Sequence, residues 1–146
     1  AALARTIAEP GDTAREDGRD FLPFRRHHAQ QQQAMDTAVA TLRAQARAAL
    51  LRAGRTHPPL ARLAALDAAL AGALAPREQA QLALMPALLE KLYTRLRSAS
   101  PGAGAAPWLP AFRHDMQRLL LAELDLRLQP AEGLLDALRT ALTDPA

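Results

Sequence analysis

From Met35 onward the apolar positions fall at alternating spacings of four and three: Met35, Val39, Leu42, Ala46, Ala49 and Ala53. That spacing is a heptad seam and predicts a helix. Extended backward, the seam passes through Gln32, His28, Arg25 and Phe21, so it turns polar in "PFRRHHAQQQQAMD". The pattern predicts one long coiled-coil-like helix over 21–53, with Pro23 tolerated in its first turn. A helix of that length spans roughly 50 Å and needs an antiparallel neighbour or a second subunit to cover it. Polar seam residues commonly set register or oligomeric state at a cost in stability. We therefore take Arg25, His28, Gln32, Met35, Val39, Leu42 and Ala46 as the candidate interface. The alanines at 46, 49 and 53 let a neighbour approach closely. In "AGRTHPP" Gly54 suits a left-handed C-cap, and the prolines behind it prevent continuation.

The same spacing recurs downstream. Leu60, Leu63, Leu66, Leu70 and Leu74 share one face of a helix over 59–75, which Pro76 separates from a helix over 77–98. There Leu82, Met85, Leu89, Leu92 and Leu96 repeat at three and four, with Pro86 expected to kink the element. "SASPGAGAAP", residues 98–107, reads as a flexible link. A fourth helix over 108–128 is apolar over a broad arc, from Leu109 and Phe112 through Met116 and Leu120 to Leu124. Pro130 is expected to break it, leaving a short helix with Leu134, Leu135, Leu138 and Leu142. Residues 1–20, with "EPGDTAREDGRD", read as a loose arm whose Thr13 and Glu16 fit a capping box. The expectation is an all-α chain: the arm, then a four- to five-helix bundle over 21–146 with the link inside it.

Composition agrees. Hydrophobic residues make up 49%, mostly Ala and Leu, while aromatics are 3% and β-branched residues are scarce. Sheets favour the residue types that are missing, and helices those that abound. There is no cysteine, which excludes disulfides, thiolate catalysis and Cys-based zinc sites. No apolar run approaches the ~20 residues of a membrane span, and residues 1–20 lack a signal-peptide pattern. The expectation is a cytoplasmic chain without direct membrane insertion. It does not begin with Met, which suggests a trimmed chain or a fragment of a longer one.

The net charge of +3 is unevenly spread: residues 21–62 hold 7 basic and 1 acidic residue, whereas the flanking blocks are slightly acidic. Arg43 and Arg47 stand four apart, with Arg52 and Arg55 further on. These four are the candidate anion or nucleic-acid contact, because arginine-rich helices bind phosphate backbones. The plainer reading is that they are solvated or paired with acids on the fourth helix, and next that they meet a protein partner. Stacking aromatics and a convincing helix-turn-helix spacing are lacking. His27 and His28 are adjacent and point about 100° apart on a helix, so they cannot grip one ion from one face. Asp115 with Arg118, and Glu123 with Arg127, have the spacing of ordinary helix-surface pairs. Nothing points to a catalytic residue, a metal site or a cofactor, and the expectation is a protein that is not an enzyme.

Three stretches, "FRRHHAQQQQAMDTAVATLRAQARAAL", "LARLAALDAAL" and "FRHDMQRLLLAELDLRLQPAEGLLDALR", resemble a bacterial family, domain of unknown function 3348. The third carries the resemblance best, in the order Phe112, Asp115, Met116, Leu120, Glu123, Leu124, Arg127, Gln129, Pro130 and Gly133. The resemblance covers residues 21–140, and its members tend to be longer at the N-terminus. It implies a helical subunit without an enzymatic motif. Its members look like companions of proton-driven, flagellar-stator-like membrane motors, including those of Zorya-type phage-defence clusters. By that resemblance the partner is a motor or defence-complex protein. Self-association is expected separately, from the small seam residues of the long helix and the apolar surface of the Leu-rich fourth helix; nucleic acid on the arginine face is the alternative.

Overall fold

A computed structural model describes residues 20–100 and 107–143. The expected arm over 1–20 lies outside the described residues except for Asp20, as does most of the expected link. The described residues form α1 (Leu22–Ala53), α2 (Pro58–Leu82), α3 (Met85–Ser98) and α4 (Leu109–Thr143), with no strand among them. The all-α expectation holds, but the division into four to five separate helices does not. Only Ala83 and Leu84 separate α2 from α3, and Pro58–Ser98 runs as a 41-residue helical stretch. The fourth and fifth expected helices are one. The 32-residue α1 is accordingly not the only long helix, since α4 has 35 residues.

Three proline expectations are corrected. Pro76 and Pro130 lie inside α2 and α4. A helical proline leaves the carbonyl four residues earlier without its donor. Those carbonyls belong to Gly72 and Leu126, both exposed, so water can serve them. Beyond Pro130, burial of Ala131 and Leu134 offsets the roughly 3 kcal/mol that a helical proline costs. Pro86 does not kink a helix; it sits in the first turn of α3, where its missing N–H would have no acceptor anyway.

The chain divides into two compact units. Of the described residues, the first takes 20–35, 81–100 and 107–124, the second 36–80 and 125–143. In the first, all five aromatic residues gather. Phe24 and Phe112 meet edge to face at 5.1 Å between ring centroids, and Tyr93 and Trp108 at 5.0 Å. Phe21 stands 5.3 Å from Tyr93. Such pairs contribute about 0.5–1.5 kcal/mol each beyond the area they bury. Asp20 starts α1 by accepting a hydrogen bond from the Leu22 amide at 3.1 Å, which satisfies one orphan donor of the first turn.

In the second unit Ala46, Leu50, Leu60, Ala64 and Leu134 form the core, flanked by Ala53, Leu63, Leu138 and Ala141. Pro58 opens α2 at its first position, as the sequence suggests. Gly54 does not take the left-handed C-cap conformation. Its amide donates to the Leu50 carbonyl at 2.7 Å, continuing α1. Glycine is required there for space: a Cβ would lie 2.7 Å from Ala61 Cβ and 2.9 Å from Ala61 N.

Candidate functional site

The polar part of the α1 seam is an internal contact. His28 is fully buried, and its Nε2 lies 2.9 Å from Glu123 Oε1 on α4. The other carboxylate oxygen, Oε2, accepts from Gln32 Nε2 at 2.9 Å. His28 and Gln32 are one turn apart, so both reach one carboxylate from the same face of α1. His28 Nδ1 is buried without a hydrogen-bond partner. Burying a bare ring nitrogen costs less than burying an N–H with no acceptor, so the tautomer is the one in which Nε2–H donates to Glu123. Glu123, expected on the helix surface, is instead buried. Next to this cluster the His27 imidazole is held below its ordinary pKa, first by burial and then by the neighbouring His28.

Arg25 is exposed, so it is not a seam residue; the buried seam runs through Phe24 instead. Met35, Val39 and Ala46 are buried, and Gln32 and Leu42 are half-buried, all against the chain's own helices. Leu50, which sequence reasoning missed, is fully buried. It stands four residues beyond Ala46, where the seam continues with a large residue rather than with Ala49.

The arginine set divides. Arg43 Nε lies 3.0 Å from Asp67 Oδ2, and the Arg43 guanidinium also donates to Oδ1. Arg47 Nη1 donates to Oδ2 at 3.0 Å. Asp67 lies on α2, not on the fourth helix. It is the only acid between Glu78 and Asp36, which was the available signal. The hydrogen bond from Arg43 holds the Asp67 carboxyl below its ordinary range, with the charge of Arg43 and the contact from Arg47 adding to this and burial opposing it. Arg52 and Arg55 remain exposed. On α4, Arg127 donates from Nε to Asp36 Oδ1 at 2.8 Å.

Among the described residues no group of three His, Asp or Glu side chains is placed to hold a metal. A shallow depression lined by Glu90, Lys91, Thr94 and Arg95 draws all its residues from α3 and opens to solvent. The contrasting feature is apolar. On α2 Leu66, Leu70 and Leu74 are 56%, 48% and 46% exposed. Pro58–Ser98 is also long and apolar enough, by length and composition, to cross a membrane, and little of its most apolar part is buried.

The model of a family described as protein of unknown function (DUF3348) matches residues 1–140, and the chain belongs to that family. The match takes in the first twenty residues, which the three quoted stretches did not. No curated protein and no solved structure matches the chain.

Proposed function

We propose that this member of the DUF3348 family is a non-catalytic helical scaffold, a bundle-like interaction subunit that self-associates in the cytoplasm and acts with a proton-driven membrane motor complex in antiphage defence. One observation carries the interaction role: the exposed leucine ridge of α2, large apolar side chains presented to solvent along a helix whose other face is packed. Apolar surface of this kind marks contact with another macromolecule. The polar residues that sequence offered as a site are meanwhile spent on internal contacts: His28 and Gln32 on Glu123, and Arg43 and Arg47 on Asp67. The motor and defence setting rests on the family resemblance.

Capture of the tagged chain from membranes of its native host tests this reading. Motor subunits identified in the eluate are the expected result, and an eluate without them would contradict the motor setting. The alternative is nucleic-acid binding through Arg52 and Arg55, the exposed part of the arginine set. Retention of duplex DNA at about 150 mM salt, abolished by Arg52→Gln with Arg55→Gln and accompanied by no motor protein, would overturn the scaffold reading.

A further inference from the structure

The ridge on α2 has charged ends. Stepping by four, it reads Arg62, Leu66, Leu70, Leu74, Glu78, and all five are exposed. The order is self-complementary about Leu70. Reversed, it places Leu66 against Leu74 and Arg62 against Glu78. We infer that α2 pairs with α2 of a second copy of this chain, antiparallel and centred on Leu70. The inference rests on the self-association reading above and gives it a surface and a register.

Residues four apart form an inclined ridge on a helix. The commonest class of helix packing sets such a ridge from each helix side by side at a crossing angle of about −50°. Two copies of the Arg62–Glu78 ridge fit that class around one two-fold axis, as an isologous dimer requires. Leu70 then lies beside the axis, and each Leu66 meets the other copy's Leu74. At each end an arginine faces a glutamate. A parallel pair would set Arg62 beside Arg62 and Glu78 beside Glu78, and like charges at a contact are repulsive. The charge pattern thus selects one orientation.

The same pattern favours a protein partner over a lipid one. Asp67, within the apolar stretch, is bound to Arg43 and Arg47 on α1. Taking α2 into a bilayer would either break those contacts or carry charges with it, and intramembrane charges are costly. The ridge is short, about 24 Å from Arg62 to Glu78. Such a contact is at the low end of interface sizes, where association is weak and concentration-dependent.

The test uses the whole chain, which has no cysteine, so an introduced one reports only on self-contact. Sedimentation of the unaltered chain at about 100 μM should give a dimer. Leu70→Asp, at an exposed position, should give a monomer of unchanged helicity. Arg62→Glu and Glu78→Arg should each weaken the dimer about tenfold, and the two together should restore it. Under mild oxidation, Arg62→Cys mixed with Glu78→Cys should cross-link faster than Arg62→Cys alone. A chain that is monomeric at that concentration overturns both this inference and the self-association reading. A dimer indifferent to Leu70→Asp overturns the α2 pairing and leaves self-association standing. Faster Arg62→Cys self-cross-linking overturns the antiparallel register. A monomer that binds phosphatidylglycerol vesicles, and loses them with Leu70→Asp, assigns the ridge to a membrane instead.

Discussion

Glu123 Oε1 lies 2.9 Å from His28 Nε2, a buried contact between residues 95 positions apart that ties α4 to α1. Removing one partner of such a pair strands the other. Glu123→Leu leaves the buried His28 N–H and the half-buried Gln32 amide without an acceptor, and should cost about 1–3 kcal/mol for the stranded buried donor. Adding His28→Leu should recover most of that loss, because apolar groups of similar size need no partner. Urea unfolding of both single variants and the double variant measures it; a double variant no better than Glu123→Leu would contradict a mainly polar origin.

Asp67 organises α2 against α1 through Arg43 and Arg47. Its carboxyl titrates below the ordinary 3.8 in the folded chain. A depressed folded pKa stabilises the fold above the unfolded value, and that contribution disappears as pH falls through the folded value. Asp67→Asn should therefore lower the melting temperature at neutral pH, by about 1–3 kcal/mol in stability. The gap between variant and parent should close as pH falls from 3.8 through the lower folded value. Arg43→Gln with Arg47→Gln should cost stability similarly and leave DNA retention on a column unchanged. A parallel acid limb for Asp67→Asn and its parent would speak against the ion pair.

Gly54→Ala tests the close approach of α1 and α2. In an open helix this change gains about 1 kcal/mol. Here the new Cβ would lie 2.7 Å from Ala61 Cβ and 2.9 Å from the Ala61 backbone nitrogen. Backbone cannot swing aside as a side chain does, so a loss of about 1–3 kcal/mol is expected. Thermal unfolding followed by circular dichroism decides the sign.

Phe112→Ala opens the aromatic cluster. Phe112 is fully buried and touches the rings of Phe24, Tyr93, Trp108 and Phe21. A loss of about 3–5 kcal/mol is expected. Trp108, the only tryptophan, should shift its emission to the red as water gains access. Leu126→Ala on the same helix is the control. Leu126 is exposed, and its replacement should stay within about 0.5 kcal/mol of the parent.

Helical class and the extent of α1 were legible in the chain, because both follow from local quantities. Ala, Leu, Arg and Gln favour helix residue by residue, and the three-and-four spacing marks which face is buried. Met35, Val39 and Ala46 are buried as that spacing requires. The element boundaries at proline were misread for a reason that is also physical. A proline's local penalty of about 3 kcal/mol is comparable to what one or two buried side chains contribute, so packing of Ala131 and Leu134 beyond Pro130 decides whether α4 continues. Polar pairing lay further from reach. Helical periodicity places His28 and Glu123 on faces of their own helices, but no local rule says which faces meet. Glu123 with Arg127 satisfied the surface-pair spacing as well as any other pair does. Only the tertiary structure brings Glu123 to His28 and Asp67 to Arg43, because the partner of a buried charge is chosen by which helices pack and not by distance along the chain.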